Sequence, residues 1–117
     1  MDEWQEYKIV TKLKAGDINA LTPLVHAYQH RALRTAYLVT QDQALAEDVT
    51  QSAFIRTFEC IHQFDRSRRF LPWFLRIVVN MAVQAAKKQS RTFSLDTISN
   101  HDEELTLADL LPDTVLN

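Results

Sequence analysis

The sequence predicts an all-α fold, a compact bundle of three to four helices followed by a short acidic C-terminal tail. Apolar residues recur at three- and four-residue steps in four successive segments, the spacing of one face of an α-helix. The 117 residues include one glycine and no Asn-Gly or Asp-Gly pair, which disfavours tight β-hairpins. We therefore expect one helical domain over residues 1–91 and a tail over residues 92–117.

The composition excludes several classes of function. A single glycine cannot form a Gly-rich phosphate loop, and the single cysteine, Cys60, allows neither an intrachain disulfide nor a Cys-x-x-Cys metal site. The acidic N-terminus does not resemble a secretory signal, and no uncharged apolar stretch reaches the roughly 18 residues of a membrane span. The expectation is a cytoplasmic protein without membrane insertion and without a cofactor.

The first two helices are predicted over residues 2–15 and 18–39. Gly16 ends the first, because glycine readily adopts the left-handed conformation. Pro23 predicts either a kink in the second helix or a restart with Thr22 as the N-cap. The inward stripe of the second helix is Ile18, Leu21, Val25, Tyr28, Ala32 and Val39.

The third helix is predicted over residues 43–62, with Asp42 as its N-cap. Its inward residues are Ala46, Val49, Ala53, Phe58 and Ile61. A second stripe on the same helix is polar around one isoleucine and comprises Asp48, Gln51, Ser52, Ile55 and Glu59.

A loop over residues 62–71 leads to a fourth helix over residues 72–89, where Pro72 fits the first helical position. This helix is apolar over a wide arc, so we expect it to be the most buried. Its polar residues share one face, namely Arg76, Asn80, Gln84, Lys87, Lys88 and Arg91. A further short helix is expected within the tail, over residues 101–111.

The net charge of −2 hides a strong segregation of charge. Residues 1–61 carry 6 Lys or Arg and 8 acids, residues 62–91 carry 7 and 1, and residues 92–117 carry 0 and 6. A basic block followed by an acidic tail is a pattern typical of polyanion binding.

The basic block also interleaves arginines with aromatic rings, and this combination favours single-stranded nucleic acid. The candidate nucleic-acid-binding residues are Phe64, Arg66, Ser67, Arg68, Arg69, Phe70, Trp73, Arg76, Asn80, Gln84, Lys87, Lys88 and Arg91. In the alternative interpretation the aromatic rings belong to the hydrophobic core and the charged residues only keep the helix surface hydrated. The chain is then a helical protein-interaction module.

A zinc-dependent helical enzyme is the other alternative, because His26 and His30 have metal-ligand spacing on a helix. The sequence offers no third ligand and no His-Glu-x-x-His motif, so we expect neither a metal nor an enzyme.

Several motifs occur in order over about residues 14–91 and resemble one family. Residues 46–51, Ala-Glu-Asp-Val-Thr-Gln, are followed by Ala53 and Phe54, and residues 70–80 read Phe-x-x-Trp-Phe-x-Arg-Ile-x-x-Asn. Both stretches resemble region two of extracytoplasmic-function (ECF) RNA polymerase sigma factors. The resemblance does not extend to that family's fourth region, a helix-turn-helix. Ser52 stands where members often have glutamate, and the loop lacks their common glycine.

The resemblance implies a domain that binds core RNA polymerase and melts the promoter minus-ten element, with an anti-sigma factor as a further expected partner. By this resemblance Asp48, Gln51, Ser52 and Ile55 dock on the coiled coil of the β′ subunit. The loop and the following helix capture a flipped base of the non-template strand.

Overall fold

The computed structural model describes residues 1–97, and within this range it contains four α-helices and no strand. The helices are α1 (Glu3–Lys14), α2 (Leu21–Thr40), α3 (Gln43–Cys60) and α4 (Phe70–Thr97). Helices α2, α3 and α4 pack against one another in all three pairings, while α1 packs on α2 and on the 3-10 turn that follows α3. The predicted all-α bundle is confirmed.

Local hydrogen bonds explain where the first three helices begin and end. Asp2 caps α1 by accepting a hydrogen bond from the Gln5 N–H at 2.8 Å, and the Gln5 Oε1 accepts one from the Asp2 N–H at 3.2 Å. Gly16 follows α1 with a φ of +96°, which favours glycine. Asp42 accepts the Leu45 N–H at 3.0 Å, so the predicted cap of α3 is confirmed.

Each of the two prolines in α2 and α4 is the third residue of its helix. A 3-10 turn over Ile18–Ala20 precedes α2, so the chain does restart before Pro23, although α2 begins at Leu21 without a Thr22 cap. Helix α4 begins two residues before Pro72 and not at it. The first-turn N–H groups of a helix lack helical partners, so proline sacrifices no hydrogen bond there.

Helix α4 also continues past its predicted end, from residue 89 to Thr97, into the first part of the predicted tail. The predicted short helix over residues 101–111 lies outside the described residues.

The core is organised around Phe70, whose ring contacts rings from α2, α4 and the loop. Its centroid lies 6.0 Å from that of Tyr28, 5.7 Å from that of Phe64 and 5.7 Å from that of Phe74. Phe74 in turn lies 4.7 Å from Phe54 on α3. Aromatic pairs at these separations add about 0.5–1.5 kcal/mol each beyond the area that they bury.

Most of the predicted inward residues are buried, with informative exceptions. The buried ones are Leu21, Ala32, Ala46, Val49, Ala53 and Ile61. Ile18 is exposed, because it lies in the 3-10 turn and not on the inward stripe of α2. Phe58 is half-buried, and the large core position on α3 is taken by Phe54.

The buried carboxylate of Glu6 connects α1 to two other helices. Its Oε1 accepts the N–H of Phe70 at 3.2 Å, and its Oε2 accepts the hydroxyl of Tyr28 at 3.1 Å. Burial, the charge of Glu6 and this hydrogen bond hold the pKa of the Tyr28 hydroxyl above its usual range. A carboxylate at a helix N-terminus also interacts favourably with the helix dipole. Glu6 therefore determines where α4 begins.

We expect Glu6→Ala to lower the free energy of unfolding by roughly 1–3 kcal/mol, because it leaves the Phe70 N–H buried without a partner. Glu3→Ala is the matched control, since Glu3 is an exposed glutamate on the same helix. Urea denaturation of both variants measures the difference. Equal losses would show that the buried carboxylate is not the anchor of α4.

Candidate nucleic-acid interface

The loop over residues 64–69 is organised by its own hydrogen bonds. The Asp65 carboxylate accepts the Ser67 N–H at 2.9 Å and the Ser67 hydroxyl at 2.7 Å. The Arg68 N–H donates to the Asp65 carbonyl at 2.9 Å, which closes a turn. The bonds from Ser67, its backbone N–H first, hold the pKa of Asp65 below its usual range. The loop backbone is thus arranged before any ligand binds.

Helix α1 holds the loop at both ends. The ammonium of Lys14 donates to the Phe64 carbonyl at 2.7 Å, and Glu6 accepts the Phe70 N–H at the other end. Between them, the Arg66 guanidinium lies 5.4 Å from the centroid of the Tyr7 ring, within cation–π range. These contacts of α1 join residues that are 50 to 64 positions apart, so no local sequence pattern indicates them.

The four polar loop candidates, Arg66, Ser67, Arg68 and Arg69, are exposed, although Ser67 bonds to Asp65 and the Arg68 Nε lies 3.8 Å from the Asp65 carboxylate. The structure corrects the prediction for Phe64 and Phe70, whose side chains are 4% and 0% exposed. These rings cannot stack on bases, because they form the core beneath the loop. They support the half-buried Trp73, whose centroid lies 5.0 Å from that of Phe64 and 5.9 Å from that of Phe70.

A cleft of about 520 Å³ opens between this loop and the first turns of α4. Its walls include three arginines and one indole, namely Arg68, Arg69, Arg76 and Trp73. This volume falls within the roughly 300–1,000 Å³ of ligand sites. Guanidinium groups pair with phosphates and an indole stacks on a base, so the cleft suits an unstacked nucleotide.

The polar face of α4 continues from this cleft along the helix. Arg76, Gln84, Lys88 and Arg91 are exposed, while Asn80 and Lys87 are half-buried. Asn80 and Gln84 line a second groove of about 640 Å³, which lies between α3 and α4.

The candidate polymerase-contacting residues of α3, Asp48, Gln51, Ser52 and Ile55, are all exposed. Ser52 and Ile55 line the α3–α4 groove together with Trp73, whereas Gln51 lines a shallower pocket against α2. Two of the predicted polymerase-binding residues therefore share one groove with three of the predicted DNA-binding residues, Trp73, Asn80 and Gln84, which sequence spacing did not indicate.

The zinc alternative depends on two histidines of α2 and on a third ligand nearby. His26 and His30 are exposed on α2, and no group of three His, Cys, Asp or Glu side chains within residues 1–97 is arranged to hold a metal ion. Cys60 is unpaired and half-buried. Among the described helices, none has the length and apolar character needed to cross a membrane.

Residues 24–92 match the family described as Sigma-70 region 2. Among curated proteins, the chain is 31% identical over 110 residues to the ECF RNA polymerase sigma factor SigW of Bacillus subtilis, which covers 93% of this chain and 59% of SigW. It is 33% identical over 85 residues to the ECF RNA polymerase sigma-E factor of Escherichia coli K12, covering 71% of this chain and 43% of that protein.

The chain therefore belongs to the sigma-70 region 2 family, and its similarity to ECF sigma factors supports the resemblance drawn from the motifs. It spans about three-fifths or less of the length of these relatives. Helix α1 precedes the matched residues 24–92.

We expect the order of the loop to depend on the ionisation of Asp65. Its lowered pKa means that the ionised form stabilises the turn, and this contribution is lost as the pH falls through that pKa. The Ser67 amide resonance should titrate with a midpoint below 3.8, the usual aspartate value. An NMR titration measures this midpoint.

Asp65→Asn is the control, because it removes the titrating group and should abolish the transition at Ser67. A midpoint at or above 3.8 in the unmodified chain would contradict the assignment.

Proposed function

We propose that this domain binds core RNA polymerase and the non-template strand of the promoter minus-ten element, and that it helps to open the promoter without being an enzyme itself. The observation that carries this proposal is the cleft lined by Arg68, Arg69, Arg76 and Trp73, in which three cations outnumber the single acid, Asp65. Family membership supplies the biological setting, since the chain matches sigma-70 region 2.

Capture of a flipped base requires an energetic compensation, because unstacking a base costs a few kcal/mol. Stacking on Trp73 and phosphate pairing with the loop arginines both oppose this cost. The loop is already held by Asp65 and Lys14, so little conformational entropy is lost on binding. The cleft therefore favours the open strand over the duplex, because only an unstacked base can stack on Trp73.

We expect Trp73→Ala combined with Arg76→Ala to weaken binding of a minus-ten single strand at least tenfold, given about 1–3 kcal/mol for each lost stack. Arg31→Ala is the control, because Arg31 is an exposed arginine on α2 outside the cleft. Fluorescence anisotropy against salt measures both affinity and contact number. The log–log slope should fall by about 0.7 for each phosphate contact that is lost.

Equal losses from the cleft variants and from Arg31→Ala would indicate diffuse charge attraction and contradict a defined site. A salt-independent affinity in the unmodified chain would favour the helical protein-interaction module instead.

The polymerase contact is proposed for the exposed face formed by Asp48, Gln51, Ser52 and Ile55, with the β′ coiled coil as the partner. An exposed isoleucine within a polar rim is a suitable centre for a reversible protein interface. Since core polymerase is the partner, this proposal places the domain in the cytoplasm. An anti-sigma factor is expected from the family resemblance alone.

We expect Asp48→Arg to abolish co-purification with core polymerase while circular dichroism stays unchanged, because Asp48 is fully outside the core. Glu3→Arg reverses the charge of an exposed acid on α1 and should leave co-purification intact. Retention of polymerase by the Asp48 variant would show that the interface lies elsewhere.

A further inference from the structure

We propose that Trp4 and Tyr7 on α1 form a second stacking platform, which extends the single-strand interface beyond the loop. This inference rests on the proposed function, because it adds a subsite for the same strand. The ligand that it predicts is a nucleobase of single-stranded nucleic acid together with its phosphate. Helix α1 precedes residues 24–92, which match the family model.

The two rings are exposed and nearly parallel. Trp4 is 64% exposed and Tyr7 is 46% exposed, although Tyr7 lies one turn before the buried Val10 and lines the same cleft. Their centroids are 5.9 Å apart with an angle of 8° between the ring planes. In a stacked pair each ring covers part of one face of the other, so the outer face of each ring is the one left for a further stacking partner.

The platform is continuous with the basic loop. The Arg66 guanidinium lies over the Tyr7 ring at 5.4 Å and its Nη1 donates to the Tyr7 hydroxyl at 3.5 Å. Tyr7 and Arg66 also line a cleft of about 220 Å³ between α1 and the loop, together with Arg68 and Arg69. The latter two arginines line the Trp73 cleft as well, so the same cations border both aromatic surfaces.

The charges around the platform favour a polyanion as the ligand. The Lys8 ammonium lies over the Trp4 ring, 5.4 Å from its centroid, so each of the two rings has a cation in contact with it. The acids that line the same cleft are Glu3 and Glu6, and Glu6 is already occupied by Phe70 and Tyr28. Exposed rings with adjacent cations are the combination that binds unstacked bases and their phosphates.

The test compares oligothymidylates of increasing length for binding to the 117-residue chain and to a Trp4→Ala, Tyr7→Leu double variant. For the longer oligomers we expect the double variant to bind about tenfold more weakly, with an unchanged salt slope, because stacking is lost while phosphate contacts remain. For the shortest oligomers, which reach only the Trp73 cleft, the two proteins should bind alike.

A Tyr37→Leu, Leu38→Ala double variant on α2 is the matched control, because Tyr37 and Leu38 are 40% and 68% exposed, similar to Tyr7 and Trp4. This control should bind every oligomer like the unmodified chain. A thermal melt of each variant verifies that it is folded.

Trp4 fluorescence provides a readout that does not depend on the double variant. In a Trp73→Phe variant Trp4 is the remaining tryptophan, and saturating oligothymidylate should quench its emission. Absence of quenching at saturation would overturn the platform.

Two further results would overturn it. One is equal binding of long oligomers by the unmodified chain and the Trp4, Tyr7 variant, while the Trp73, Arg76 variant still binds weakly. That outcome would contradict the platform and leave the proposed function standing. Salt-independent binding by the unmodified chain and by every variant would contradict both the platform and the proposed function. The other is a Trp4, Tyr7 variant that keeps its oligomer affinity and loses core polymerase, since the rings would then contact protein.

Discussion

The buried carboxylate of Glu6 is the interaction on which the arrangement of this domain depends. It accepts one hydrogen bond from Tyr28 on α2 and another from the first N–H of α4, so a single side chain joins three helices. Burying a carboxylate is unfavourable unless its oxygens are satisfied, and here each oxygen has a donor. The position of α4 follows from this contact, and the Phe70 ring then packs against Tyr28, Phe64 and Phe74.

The same helix that anchors α4 also shapes the proposed binding surface. Lys14 and Tyr7 contact the loop from α1, Asp65 orders the loop through its own hydrogen bonds, and the three loop arginines remain exposed. The aromatic side chains divide into two groups. Phe64 and Phe70 are buried in the core, whereas Trp73 packs against them and is only half-buried, so part of its ring is accessible to a ligand. Rigid rings beneath a stacking residue reduce the entropy that binding would otherwise cost.

The α3–α4 groove brings together residues that were assigned to different partners. Ser52 and Ile55 on α3 share it with Trp73, Asn80 and Gln84 from α4. In the proposed function, polymerase and promoter strand are therefore bound by neighbouring side chains of one small domain.

Helical spacing, one glycine and the Asp42 cap were enough to predict the helices and the polar face of α4, because these features depend only on nearby residues. The motifs at residues 46–54 and 70–80 were enough for the family, which the match over residues 24–92 confirms. Three properties required the folded chain, namely the burial of Phe64 and Phe70, the anchoring role of Glu6 and the joint groove of α3 and α4. Each depends on contacts between residues far apart in sequence, and the alternation of aromatic and basic residues is the same whether a ring turns inward or outward.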